Sequence, residues 1–139
     1  MIGIIAGLVL WVGAHVFKRV APQKRAAMGS RGMNVVSLTI AAGVLCMVLG
    51  YRAAEGALLW VSPPWMVHVN NLLVLVGIFM VSPAPRKGIV LYRMRHPMLT
   101  GFALWAVAHI LVNGDGPSVV LFGGLLLWAL AEIVIINRA

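Results

Sequence analysis

The sequence predicts an all-α integral membrane protein, a five-helix transmembrane bundle with its N-terminus outside and its C-terminus in the cytoplasm. Three observations lead to this fold class. Of the 139 residues, 62% are apolar and only 10% are charged, a composition outside the range of ordinary soluble domains. The apolar residues form five runs that approach the length of a bilayer crossing. The basic residues lie between these runs rather than inside them.

The five runs are treated as the spans of a single transmembrane domain, 1–139. They cover residues 2–17, 33–50, 65–81, 97–112 and 118–137. The first and fourth runs are short for a bilayer core of about 30 Å. Each crossing must therefore include flanking residues, tilt little or lie where the bilayer is thin. No positive charge precedes the first run and no small-residue cleavage site follows it, so we expect it to remain attached rather than act as a signal peptide. The short NGDGP turn predicts that the last two helices are antiparallel neighbours.

The distribution of Lys and Arg sets the predicted orientation. Ten of the eleven basic residues lie in the first loop, in the third loop or after the last span, and only Arg52 lies on the opposite side. The positive-inside rule makes the crowded side cytoplasmic. Tyr51, Trp60 and Trp65 agree with this orientation because they gather at the predicted outer interface. The net charge of +8 is therefore explained by topology, and no nucleic-acid partner is expected.

Several chemistries are excluded by the sequence. The single cysteine, Cys46, rules out a disulfide framework and a thiolate metal cluster. The chain contains no GxGxxG or Walker loop, no HExxH motif and no Ser, His and Asp arrangement for acyl transfer. Gly3 and Gly7 form a GxxxG pair, a pattern that lets two membrane helices approach closely.

Glu132 is the only acid within a predicted span. An ionisable side chain in hydrocarbon costs at least about 2 to 3 kcal/mol, so such residues usually face the bundle interior. Two interpretations stay open for Glu132. One is an ion pair or hydrogen bond with Arg93, Arg95 or His96 at similar depth; the other is proton handling or orientation of a cofactor.

The four histidines are the most informative polar residues. At a rise of 1.5 Å per residue, His15 and His96 lie toward the cytoplasmic side, whereas His68 and His109 lie toward the outer side. Each of them has a structural interpretation as an imidazole bonded to a backbone carbonyl or a neighbouring helix. The alternative is ligation. Without nearby acids or cysteines, imidazole ligands point most naturally to haem iron and less naturally to copper.

The motifs RHPMLTG, LWAVAH, NGD and LFGG, with WVGAHVFKRVAPQKR and VLGYRAA in the first half, make the sequence resemble the NnrU family over nearly its whole length. The resemblance implies a bacterial inner-membrane protein associated with nitrite and nitric oxide reduction. The plant zeta-carotene isomerase shares this domain, carries haem b held by histidines and isomerises a cis double bond of a carotenoid. Many relatives continue past the position of Arg138, so a function that needs such a tail is not expected.

The resemblance also implies a set of site residues. The haem-ligating positions look like His15 in GAHVFKR and His109 in WAVAHIL. On the predicted spans these two residues differ in depth by about 15 Å, so His68, which is level with His109, is kept as a reserve ligand. No catalytic residue is identified. The candidate contacts to a haem propionate, or to the ligands themselves, are Arg93, Arg95, His96 and Glu132.

Three functional hypotheses follow. In the first, the protein binds haem b, and a lipophilic substrate or a nitrogen oxide meets the iron within the bundle; if it is an enzyme, it is isomerase-like. In the second, it is a non-enzymatic assembly or regulatory partner of membrane-bound nitrogen oxide reductases. In the third, the RHP motif reflects similarity to isoprenylcysteine carboxyl methyltransferases, although the later acidic and aromatic positions of those enzymes are not found. A structural alternative for RHP is that Arg93 and Arg95 reach lipid headgroups while Pro97 begins a helix.

Overall fold

The structure, a computed structural model, describes residues 1–82 and 94–138, and helices account for nearly all of their regular secondary structure. The described helices are α1 (Ile2–Val20), α2 (Pro22–Ala27), α3 (Gly29–Arg52), α4 (Met66–Val81), α5 (Pro97–Val112) and α6 (Gly116–Arg138). An isolated antiparallel bridge joins Leu58 to Asp115. The prediction of an all-α protein is confirmed for these residues.

Three helices, α1, α3 and α6, are long and apolar enough to cross a membrane. All three extend beyond the predicted spans, α1 and α3 the most: α1 continues to Val20, and α3 begins at Gly29. Hydropathy marks only the part of a helix that suits hydrocarbon, and Lys18 and Arg19 favour helix and prolong α1 past that part. The early start of α3, which includes two glycines and a serine, is not explained by helix propensity. Helices α4 and α5 have 16 residues each. At 1.5 Å per residue each is about 24 Å long, less than a typical bilayer core.

The chain divides into two compact units, residues 1–55 and 56–139. The first contains α1, α2 and α3, and the second contains α4, α5 and α6. Each unit is described by itself below. The single domain expected from the sequence stays a prediction.

In the first unit, α1 and α3 pack antiparallel through glycines. A Cβ atom placed on Gly7 would lie 2.6 Å from the carbonyl oxygen of Gly43, and one placed on Gly3 would lie 2.8 Å from the Cα of Gly50. Real side chains do not fit at such distances, so the two backbones are in direct contact. The GxxxG pair of the sequence is thus the surface through which α1 meets α3.

In the second unit, α4 and α5 also cross at a pair of glycines. A Cβ atom on Gly77 would lie 2.8 Å from the oxygen of Gly101, and one on Gly101 would lie 2.7 Å from the oxygen of Gly77. Helix α6 follows α5 after a three-residue turn, as the NGDGP motif predicts. Its buried residues recur every three or four positions, which gives one face packed inside the unit: Leu121, Leu125, Trp128 and Glu132.

A strap, defined as residues 57–62, is fastened to the turn between α5 and α6. The backbone N–H of Leu59 donates to the oxygen of Gly114 at 2.6 Å, and the N–H of Gly116 donates to the oxygen of Ala57 at 3.1 Å. These bonds satisfy backbone groups that a turn leaves without helical partners. The strap therefore fixes the end of the second unit at which α5 finishes and α6 starts.

Asp115 caps the N-terminus of α6. Its carboxylate accepts the backbone N–H of Ser118 at 2.9 Å and the Ser118 hydroxyl at 2.7 Å. This is the arrangement expected of an Asp at the position before the first helical turn. Burial raises the pKa of the Asp115 carboxyl, but the two bonds from Ser118 outweigh that effect and leave the pKa below its ordinary value.

Candidate functional site

The imidazole of His109 lies among aromatic rings in the second unit. The ring of Phe122 stacks on it, with 4.5 Å between centroids and 8° between planes. The indole of Trp105, one turn earlier on α5, meets it edge-on at 4.8 Å. Trp105 also packs edge-on against Phe122 at 5.4 Å. Two rings from two helices, which also contact each other, thus fix the position of this imidazole.

The aromatic cluster continues along α5 away from His109. Phe102 contacts Trp105 with 5.3 Å between ring centroids and meets Trp128 of α6 edge-on, also at 5.3 Å. Residues 102, 105 and 109 are three and four positions apart, so they lie on one face of α5. The side of His109 that faces α6 is therefore shielded by aromatic side chains rather than by polar ones.

Polar contacts around His109 involve its backbone rather than its ring. The side-chain amide of Asn113 donates to the His109 carbonyl oxygen at 2.9 Å and so satisfies one of the last carbonyls of α5. Within residues 1–82 and 94–138, the structure gives no hydrogen-bond partner for either ring nitrogen of His109. The ring is half-buried. Its nitrogens are therefore available to a ligand.

His15 occupies a different setting, on α1 in the first unit. Its Nδ1 lies 2.8 Å from the backbone oxygen of Trp11, and the two rings are 4.4 Å apart. A carbonyl oxygen only accepts hydrogen bonds, so Nδ1 donates this bond, and in the neutral form of the ring the lone pair then lies on Nε2. Histidines that bind metals usually donate their other N–H in this way, which fixes the tautomer and the ring orientation.

His96 links the start of α5 to the end of α6. It is the residue before the first turn of α5, and its Nε2 donates to the side-chain oxygen of Asn137 at 2.8 Å. Its backbone oxygen accepts the N–H of Thr100 at 3.0 Å. Both contacts are structural. Arg95, immediately before it, is exposed, and Arg93 lies outside the described residues.

His68 is exposed in the first turn of α4, and Asn71 on the next turn is exposed as well. The two residues share a helix face, as their spacing predicts. The aromatic contacts that the structure gives for His109 do not include His68. The antiparallel crossing of α4 and α5 at Gly77 and Gly101 nevertheless places His68 and His109 at a similar level along the two helices.

Glu132 is buried, with 4% of its surface exposed, on the face of α6 that also carries Trp128 and Ala129. The contacts between His96 and Asn137 and between Phe102 and Trp128 bracket it along α6. Its position therefore faces the first turns of α5. Of the three partners predicted for Glu132, Arg93 lies outside the described residues, Arg95 is exposed, and His96 is bonded to Asn137.

A groove of about 280 Å³ lies between α4 and α5, beside their glycine contact. It is lined by Gly77, Ile78, Val81, Ser82, Phe102 and Trp105. Sequence reasoning missed this groove, and it also missed the stacking of Phe122 on His109. Two patterns in the sequence relate to these features: a glycine in α4 and in α5, and aromatic residues spaced by three and four positions on α5. Neither pattern indicates which residues of another helix are contacted.

No group of three His, Cys, Asp or Glu residues in the described parts of the chain is placed to hold a metal ion. A site built there from these side chains alone would lack the ligands that zinc or iron usually needs. A haem is different, because its macrocycle supplies four nitrogens and the protein adds only one or two axial ligands. The described donors, single imidazoles in apolar surroundings, suit this second kind of site.

Comparison with known proteins gives one positive result. The sequence model of the family described as NnrU protein matches residues 3–139, essentially the whole chain. No curated protein and no solved structure matches the chain.

Proposed function

Because this chain belongs to the NnrU family, we propose that it is a multi-pass protein of the bacterial inner membrane that binds haem b, with His15 and His109 as the axial ligands. The observation that carries the proposal is the setting of His109. Two aromatic rings cover one face and one edge of its half-buried imidazole, and no hydrogen bond reaches its ring nitrogens within the described residues. The ring is therefore held in place without a protein partner on its nitrogens, as an imidazole that binds an iron atom would be.

The setting of His15 supports the same proposal independently. The bond from Nδ1 to the Trp11 oxygen leaves the lone pair on Nε2, the form in which a neutral imidazole binds iron. The other candidate haem contacts, Arg95, His96 and Glu132, lie near the start of α5, which is about 20 Å along that helix from His109. Their contact with a haem propionate stays a prediction.

When bound, haem would supply a redox-active iron centre whose potential depends on its axial ligands. The protein's own contribution is to orient the imidazoles and to exclude water from them. Phe122 and Trp105 do this for His109, since their rings cover one face and one edge of the imidazole. The substrate class that suits this environment is a lipophilic molecule, such as a polyene undergoing cis–trans isomerisation, or a small nitrogen oxide.

The direct test is to purify the protein in mild detergent from cells supplied with a haem precursor and to record its visible spectrum. We expect a Soret band, and the pyridine haemochrome should identify haem b. Monodisperse, helical protein without a Soret band would overturn the proposal. The protein would then be better explained as an assembly partner of nitrogen oxide reductases, which predicts co-purification with a reductase and no bound cofactor.

The proposed topology has five spans, an external N-terminus and a cytoplasmic C-terminus. Ten of the eleven basic residues support it by lying on one side. Helices α4 and α5 would cross despite their length of about 24 Å, with the bilayer thinned around them. Cys46 is the only cysteine, so a Cys46→Ala background permits single-site labelling.

In that background, a membrane-impermeant maleimide added to intact spheroplasts should label Glu55→Cys at once. It should label Lys24→Cys only after permeabilisation. The reverse pattern would contradict the orientation. Labelling of both positions in intact spheroplasts would contradict the crossing of α3.

A further inference from the structure

The groove between α4 and α5 is apolar where it runs beside the contact of Gly77 with Gly101. Gly77 and Gly101 bring the two backbones together, and the larger side chains Ile78 and Trp105 stand beside that contact. Ile78 is 60% exposed, although it is large and apolar. The volume of about 280 Å³ is near the lower end for ligand sites, which run from about 300 to 1,000 Å³. A single hydrocarbon chain is a suitable occupant.

One end of the groove lies where α4 ends and α5 begins. Ser82 lines the groove at the end of α4. The helices run antiparallel, because Gly77 approaches Trp105 whereas Val81, four residues later on α4, approaches the earlier Gly101. Ser82 is therefore level with the start of α5, where Arg95 is exposed.

The charge near this end is favourable for an anion. The sequence contains no Asp or Glu between Glu55 and Asp115, so neither α4 nor α5 carries an acid. The acid that comes nearest in register is Glu132, which is buried on α6. An arginine near the membrane surface pairs well with phosphate because its guanidinium offers two parallel N–H donors.

We propose that this groove holds one acyl chain of an anionic phospholipid whose headgroup phosphate pairs with Arg95. The inference rests on the proposed placement of α4 and α5 in the bilayer and is independent of haem. A neutral phospholipid fits the apolar part equally well but makes a weaker contact with the cation. The preference for the anionic lipid is therefore the property to test.

Trp105 lines the groove and serves as the probe. The protein is made without the haem precursor, so that no haem beside His109 quenches Trp105. It is reconstituted in phosphatidylcholine vesicles that contain a fixed fraction of phosphatidylglycerol, with bromine atoms on the acyl chains of one lipid or the other. Bromine quenches nearby indole fluorescence, and the difference from Trp105→Phe isolates the Trp105 signal. We expect brominated phosphatidylglycerol to quench it about fivefold more per lipid, the ratio that corresponds to about 1 kcal/mol for one cation at an anionic surface.

Three variants test whether Arg95 and the groove account for the preference. Arg95→Gln should abolish the preference, whereas Arg31→Gln, an exposed cation on α3, should keep it. Ile78→Phe should fill the groove and lower the quenching by both lipids. Equal quenching by both lipids in the unaltered protein, or a preference that survives Arg95→Gln, would overturn the proposal. The Soret absorbance of the same variants made with the haem precursor reports haem separately, so loss of one property is distinguishable from loss of the other.

Discussion

The ring of Phe122 lies parallel to the imidazole of His109, with 4.5 Å between their centroids. Phe122 is 8% exposed and belongs to the buried face of α6, so it is fixed by the packing of that helix. Its flat face in turn restricts how the His109 ring can rotate. The contact therefore links the packing of α5 on α6 to the orientation of the proposed ligand.

Replacing Phe122 should affect both properties. Phe122→Leu keeps an apolar side chain but removes the flat ring, so we expect a loss of about 1 kcal/mol in stability from the lost ring contacts. We also expect weaker retention of haem during purification. Phe79→Leu is the matched control, since Phe79 is 41% exposed on α4. Indistinguishable unfolding curves and Soret intensities for the two variants would show that the stacking has no such role.

The glycine crossing of α4 and α5 gives a second prediction. Gly101→Ala would place Cβ 2.7 Å from the Gly77 oxygen, so the helices must separate, at an expected cost of about 1 to 3 kcal/mol. Gly123→Ala on α6 is the control, because a Cβ atom there meets nothing within 4 Å. Helix propensity alone predicts that it stabilises the protein by up to about 1 kcal/mol. Unfolding followed by circular dichroism in mixed detergents measures both, and equal effects would refute the close contact.

The cap at Asp115 predicts a dependence on pH. Its pKa is lowered in the folded protein, so its contribution to stability is complete above the unfolded value of about 3.9 and is lost as the pH falls through the lower folded value. Asp115→Ala should cost about 1 kcal/mol at neutral pH. Asp115→Asn keeps an acceptor without titrating, so its melting temperature should fall less steeply in acid than that of the unaltered protein. Glu55→Gln, at an exposed acid, should keep the original slope, and an unchanged slope in Asp115→Asn would contradict the capping role.

The contact between His96 and Asn137 gives a fourth prediction. Because it joins two exposed side chains at the ends of α5 and α6, the coupling between them should lie near the lower end of the usual range, about 0.5 kcal/mol. A double-mutant cycle with His96→Ala and Asn137→Ala measures it. Strictly additive effects of the two substitutions would show that the bond does not contribute to stability in solution.

The sequence predicts the helices well because apolar runs and turns are local signals. The turn before Gly116 and the start of α5 at Pro97 both lie where the motifs place them. The helix ends at Val20 and Gly29 are missed, because hydropathy marks only the apolar part of a helix; Lys18 and Arg19 prolong α1 beyond that part. The contact of Phe122 with His109 is not predictable in this way, because it depends on the rotation of α6 about its axis. That rotation is set by packing over the whole buried face.

The candidate ligands illustrate the same limit. His15 and His109 are chosen from the sequence by resemblance, and depth along the helices favours His68 instead. The structure adds what neither argument contains: the Nδ1 bond of His15 and the aromatic surroundings of His109. Such details depend on side-chain torsions within a helix turn, which residue spacing does not encode.

The most direct test of haem ligation by His15 and His109 is the spin state of ferric haem in the purified protein, measured by electron paramagnetic resonance. With two imidazole ligands we expect a low-spin signal. His15→Ala and His109→Ala should each convert it to high spin or lose the haem, while His68→Ala and His96→Gln should keep it. A low-spin signal that survives His15→Ala or His109→Ala would contradict the assignment of that residue, and its loss in His68→Ala would transfer the ligand role to His68.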